Sequence, residues 1–310
     1  LIVTLSIMAA GTFLIVLIPS YQSIGLWAPL LVLTGRLLQG FSAGAELGGV
    51  SVYLAEIATP GRKGFYTSWQ SGSQQVAIMV AAAMGFALNA LMEESAIREW
   101  GWRIPFLLSS VLVLLGLWIR KDIDETPDFK KVKQSGQVAK APLRDTLKHH
   151  WREVLIAAGL KVVETAPFYI FSTFVVSYAT TMLTYQKSQA LEAVTLGALV
   201  ATVMIPLMGL LSDKIGRQRM YAASVFILGL FIVPWFMLLN TGTTWGIVLA
   251  TVIAFGVLWA PVTAVLGTLC SEIFSANVRY TGITLGYQLG AALAGGTAPL
   301  IATGLLAKYD

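Results

Sequence analysis

Cysteine is nearly absent from this chain of 310 residues: Cys270 stands alone. An internal disulfide cannot form, and neither can a cysteine-built metal site. Histidine is almost as scarce. His149 and His150 are neighbours in a polar stretch; adjacent side chains do not share a helix face, so they read as a solvated loop pair. There is no His-rich cluster and no H-E-x-x-H pattern. The chain therefore lacks the signature of a membrane-embedded enzyme, and enzymatic activity is not expected. Charge is sparse too. Asp, Glu, Lys and Arg make up 12% of the residues, against about 25% in a typical soluble domain. A soluble core could not absorb so much apolar surface.

What is present in quantity is hydrocarbon. Hydrophobic residues make up 56% of the chain, and the mean hydropathy is +0.73. Uncharged runs at 1–18, 65–92, 241–270 and 280–307 reach the length of about 18 residues that reads as a membrane-spanning helix. Nine candidate spans follow: 1–18, 26–56, 66–92, 102–119, 154–183, 191–211, 219–239, 245–270 and 280–307. The first is no signal peptide, because a basic leading region is missing. The chain opens inside an apolar run, without Met, and stops at Asp310 just after another. It is read as a piece cut at both ends.

Alternate connections fall on opposite sides of the membrane. The set 57–65, 120–153, 212–219 and 271–279 carries fifteen Lys and Arg, and the opposite set carries four: Arg98, Arg103, Lys187 and Lys308. That bias puts the basic set in the cytoplasm. The net charge of +5 is thereby explained by topology, and no nucleic-acid surface is needed.

The long connection 120–153 sets the expected domain organisation: a bundle at 1–119, a cytoplasmic linker at 120–153 and a second bundle at 154–310. The linker holds Lys130, Lys131, Lys133, Lys140, Arg144 and Lys148, with Gly136 and Pro142. This suits an amphipathic or irregular course, either solvated or in contact with anionic lipid head groups. A trace of duplication crosses the linker. Glu56 leads through a short turn to Arg62 and then Gln70, and Glu272 leads likewise to Arg279 and Gln288. Both glutamines are expected to be buried. An offset of six spans per repeat fits transporters built from duplicated halves.

Residues 209–219 hold Gly209, Asp213, Lys214, Gly216, Arg217 and Arg219 in a cytoplasmic turn between two spans. The glycines allow tight turning. The aspartate can accept free N–H groups or pair with an arginine, so the cluster reads as a latch that holds one conformation. The spacing resembles the G-x-x-x-D-[RK]-x-G-R-x-[RK] loop of the major facilitator superfamily. Other segments resemble the metabolite:proton symporter family within it. They are Arg36 to Gly49 with Gln39, Gly40, Gly44, Glu46 and Gly48; Trp100 to Phe106; Asp124 to Phe129; and Glu272 to Gln288. Leu47 departs from that family, which often has Trp there. The resemblance implies an all-α membrane protein of the major facilitator fold, holding helices 3–11 of 12 in two pseudo-symmetric bundles. It also implies residence in the bacterial cytoplasmic (inner) membrane, a small organic acid as substrate, protons as the coupling ion and no other cofactor. Nucleic acid is not among the expected partners, and a monomer in the lipid bilayer is expected.

Four charges fall inside spans, where each costs roughly 2.5–3.5 kcal/mol on insertion scales: Arg36, Glu46, Lys161 and Glu164. Arg36 either holds a substrate carboxylate in fork geometry or pairs with an acid of a helix missing from this chain. Burial penalises the charged form of a carboxyl group, so Glu46 suits proton binding; the alternative is a hydrogen-bonded structural role. Lys161 and Glu164 share a helix face. Lys161 either snorkels to the cytoplasm or contacts substrate. Pro167 loosens the helix just after Glu164, which favours function there. Gln70 and Tyr169 are lesser substrate candidates, with packing as their alternative. The expected gate comprises Asp213, Lys214, Gly216, Arg217, Arg219, Glu56, Arg62, Glu272 and Arg279, and no metal site is expected. Two other readings stay open: a proton symporter of a zwitterionic osmolyte, and a sensor built on a transporter fold.

Overall fold

The computed structural model describes residues 2–121, 126, 130, 134, 142–183 and 185–309. Among them every regular element is helical, as a bilayer demands of an open chain: only a helix satisfies its own backbone N–H and C=O groups in hydrocarbon. Among the described residues nine helices are long. They are α1 (Ile2–Leu17), α2 (Trp27–Ile57), α3 (Lys63–Leu91), α4 (Ile104–Lys121), α5 (Trp151–Thr181), α6 (Lys187–Ile215), α7 (Arg217–Leu239), α8 (Thr244–Ile273) and α9 (Arg279–Leu306).

Of the nine expected spans, seven are long and apolar enough to cross a membrane among the described residues. The two exceptions have physical reasons. Helix α1 has only 16 residues. Helix α2 is 31 residues long, but it carries Arg36, Glu46 and Glu56, which lower its apolarity. Leu112, Trp118, Phe226 and Met237 lie on helix surfaces and are exposed, as side chains facing lipid would be.

The chain forms two compact units: residues 1–49 with 80–125, and residues 50–79 with 126–310. The segment 50–79, which loop length and composition assign to the first bundle, thus groups with the second half of the chain by contact. In the first unit α1 and α2 approach closely: a Cβ on Gly11 would lie 2.8 Å from the Gly35 carbonyl oxygen. Arg103, from the Trp-Gly-Trp-Arg segment, ties down the end of α1. Its Nε and Nη2 donate to the carbonyls of Val16 and Ile18, each at 2.9 Å.

In the second unit the core is aromatic, with Trp235, Trp259, Phe171 and Phe255 all 2% exposed or less. Helices α5 and α9 meet at Gly286 and Gly290. A Cβ on Gly286 would sit 2.5 Å from that of Ala157, and one on Gly290 would sit 2.5 Å from the Ala158 carbonyl oxygen. The linker residues Pro142–His149 form a short helix with buried Thr146. Lys131, Lys133, Gly136 and Lys140, and the segment 124–129 apart from residue 126, lie outside the described residues.

Candidate substrate and proton site and cytoplasmic latch

Helix α5 brings its two charges together. Lys161 Nζ lies 2.7 Å from Glu164 Oε2, and Glu164 is 6% exposed. The snorkelling alternative for Lys161 is not met, because the ammonium turns to the carboxylate three residues on. Both oxygens of Glu164 are further engaged. Oε2 accepts the Thr165 hydroxyl at 2.9 Å, and Oε1 accepts the Thr263 hydroxyl of α8 at 3.0 Å. The Glu164 carbonyl accepts the Trp259 indole N–H at 2.8 Å. Beyond Thr263 lies Ser71 of α3, with the two hydroxyl oxygens 3.1 Å apart. From α9, the buried Tyr287 ring lies 5.4 Å from Lys161 Nζ. A charge in hydrocarbon persists only when partnered, and here the pair is partnered from α5, α8 and α9.

The backbone breaks beside this pair on both helices. Pro167 offers no N–H, and a π-helical turn follows at Ile170–Phe174. A second π turn, Val252–Leu258, ends just before Trp259. Such turns inside α-helices are frequent at functional sites. Chemically, the arrangement can trade a proton for an anion: protonating Glu164 dissolves the ion pair and leaves Lys161 with an unmatched positive charge.

The other two substrate candidates in this unit do not touch the pair. Gln70 is buried, and its Oε1 accepts the Ser51 hydroxyl of α2. The Tyr169 ring packs edge-on against Phe168 at 5.3 Å and against Gly295, where a Cβ would lie 3.1 Å from it.

At the cytoplasmic end the last turn of α6 reaches the start of α3, and only Gly216 separates α6 from α7. Asp213 accepts the backbone N–H groups of Gly64 at 2.8 Å and Phe65 at 3.0 Å. The first N–H groups of a helix have no partner within it, and that end is positive, so the carboxylate caps a helix far away in sequence. Arg217 bridges Asp213, at 3.1 Å, and Glu272, at 2.9 Å. Gly209 permits the approach, since a Cβ there would lie 2.7 Å from the Gly64 carbonyl oxygen. Gly216 adopts φ 97°, a left-handed conformation that glycine takes without steric cost. Arg279 pairs with Glu56 at 2.5 Å. Lys214, Arg219 and Arg62 are exposed and form no ion pair among the described residues.

A model of the Major Facilitator Superfamily matches residues 1–299. The chain belongs to the major facilitator superfamily. It is 47% identical over 306 residues to the citrate-proton symporter of Klebsiella pneumoniae, a match spanning 99% of this chain and 68% of that protein. It is 39% identical to the citrate-proton symporter of Salmonella typhi, over 99% of this chain and 70% of that one. The fold matches the proton:xylose symporter XylE bound to 6-bromo-6-deoxy-D-glucose, with a TM-score of 0.73 at 16% identity, over 98% of this chain and 73% of XylE. The chain is therefore an integral, multi-pass protein of the bacterial inner membrane, a transporter and not an enzyme.

For a major facilitator chain, the latch is more connected than the loop motif alone indicates. The two related segments, around Glu56 and around Glu272, are joined through Glu56 and Arg279. The reverse pairing of Glu272 with Arg62 does not occur; Glu272 takes Arg217 instead. Gln288, expected to be buried like Gln70, is exposed on α9. In the first unit, a polar seam joins α1 to α2. Arg36 donates to Gln39 at 3.1 Å, Gln39 to Thr12 at 2.9 Å, and Thr4 to Glu46 at 3.1 Å. Arg36 is exposed and lies 6.0 Å from the Phe106 ring centroid, with no acidic partner among the described residues. Sequence reasoning missed Thr263, Ser71, Thr165 and Trp259. Their one signal was polarity within apolar helices, which many Ser and Thr residues share.

Proposed function

We propose that this chain carries out proton-coupled symport of a small organic acid by alternating access, and that citrate is the first substrate to test. The buried Lys161–Glu164 pair carries the reading. In the absence of substrate the two charges neutralise each other. A proton arriving at Glu164 releases Lys161, whose ammonium then attracts a substrate carboxylate. Proton and anion thus bind together because each makes the other's site electrically acceptable in a medium of low polarity. Arg36, Gln70 and Tyr169 are further candidates for substrate contact, each testable by substitution. Glu46, held by Thr4, is the second carboxylate available for a proton. Bundles at 1–119 and 154–310, joined by the linker, alternate access, while Asp213, Arg217, Glu272, Glu56 and Arg279 latch the cytoplasmic side. Similarity to two citrate-proton symporters supports the anion over an osmolyte.

The test is uptake by the full-length protein in proteoliposomes. Citrate accumulation is expected to follow an imposed proton gradient. Glu164→Gln is expected to abolish accumulation while preserving citrate exchange across the membrane, since exchange requires no net proton movement. Gradient-driven accumulation by E164Q equal to that of the parent would refute the role of Glu164. Uptake of betaine with no uptake of any carboxylate would establish the osmolyte reading instead.

A further inference from the structure

The hydroxyl of Thr263 has two partners within reach and one proton to give. Its Oγ1 lies 3.0 Å from Glu164 Oε1 and 3.1 Å from Ser71 Oγ. Ser71 Oγ in turn lies 3.2 Å from the Thr263 carbonyl oxygen. A threonine hydroxyl donates once and accepts through its lone pairs. Which neighbour receives the proton therefore depends on Glu164.

We propose that Thr263 and Ser71 are positioning residues that convert the protonation state of Glu164 into the number of bonds tying α3 to α8. This rests on the proton role proposed for Glu164. With Glu164 ionised, the carboxylate accepts from Thr263, and Ser71 can only donate, to the Thr263 hydroxyl or to its carbonyl. One bond then joins α3 to α8 at this level. With Glu164 protonated at Oε1, its O–H donates to Thr263. The Thr263 hydroxyl proton turns to Ser71, and the Ser71 proton goes to the Thr263 carbonyl. Two bonds now join the helices. No bond is made to a new atom and no proton leaves the triad; the hydroxyls reverse direction in sequence.

The extra bond acts on the part of α3 that the latch holds. Gly64 and Phe65, at the start of α3, are the groups capped by Asp213, and Thr67 is hydrogen-bonded to Thr268 on the next turns of the same two helices. Ser71 continues that line one turn further. Protonation of Glu164 therefore strengthens the closed cytoplasmic latch, and by reciprocal linkage opening of the latch favours departure of the proton. That is the order a symporter needs when the proton is to be delivered inside. The other titratable or charged groups facing this site are Lys161 on α5, Cys270 on α8, Tyr221 on α7 and Tyr287 on α9. None of them bridges to α3 through Thr263.

The experiment uses the full-length protein in lipid nanodiscs with spin labels at Thr59→Cys and Gln218→Cys, two exposed cytoplasmic positions. Cys270 is fully buried and stays unlabelled. Distance distributions are recorded at acid and alkaline pH. In the labelled parent the closed-to-open ratio is expected to rise about fivefold toward acid pH, the worth of one net hydrogen bond. Ser71→Ala and Thr263→Val are expected to reduce that response to about twofold or less, and Thr263→Ser is expected to restore it. A parent-like pH response in S71A overturns the relay, whatever T263V does. Should E164Q also keep the full response, the proton role of Glu164 fails with it; should E164Q lose the response while S71A keeps it, only the relay fails.

Discussion

Replacing Asp213 by Asn tests the latch where its geometry is best defined. The carboxylate caps α3 through two N–H groups, at 2.8 and 3.0 Å, and is 6% exposed. An amide keeps one accepting oxygen and turns a donor toward the other N–H group. One hydrogen bond to a charged acceptor is lost, worth about 1.5–3 kcal/mol. The attraction to the positive helix end adds about 0.3–1 kcal/mol. Arg217 is not left unpaired, because Glu272 holds it at 2.9 Å. The closed latch should therefore weaken by about 2–4 kcal/mol, a shift of about 30- to 900-fold in the closed-to-open ratio. A cysteine placed at Ser212 reports that ratio. Ser212 is fully buried beside Gly64 and Gly209, so its thiol reacts only when the latch opens. In inside-out vesicles, the labelling rate by a membrane-impermeant maleimide should rise in D213N by the same factor. An unchanged rate would show that the capping bonds do not hold the cytoplasmic side closed.

Two further outcomes follow from the same region. Gly209→Ala places a methyl group 2.7 Å from the Gly64 carbonyl oxygen and 2.5 Å from Ser68 Oγ; overpacking of this kind costs about 1–3 kcal/mol, and the Ser212→Cys labelling rate should again rise. Arg279→Gln strands a Glu56 side chain that is 5% exposed; breaking a buried pair costs about 3–5 kcal/mol, seen as a lower thermal midpoint in detergent. The double variant E56Q/R279Q should recover much of that loss, and failure to recover would mean that the pair is not the source of the effect.

Much of this protein was legible before any coordinate. Its residence in a bilayer, the orientation of its loops and its family follow from composition, from charge placement and from the Gly209–Arg219 spacing. These are properties of single segments. The Lys161–Glu164 pair belongs to the same class, because a separation of three on a helix places two side chains on one face wherever the helix sits. The seven spans confirmed by length and apolarity were visible for the same reason. Helix α2 departed from expectation because the charges that make it interesting also make it less apolar.

What the tertiary structure alone decided is which distant groups meet. Asp213 caps Gly64 across 149 residues, and Glu56 reaches Arg279 across 223. Nothing in Thr263 or Ser71 distinguishes them from the other hydroxyl residues of apolar helices until α8 and α3 are set side by side. That register depends on close packing such as Gly267 of α8 against α3, where an added Cβ would lie 3.5 Å from the Thr67 Cβ. A local pattern records the face a residue occupies; the partner across from it depends on how far and at what height two helices pack, and that is settled by all of their contacts together.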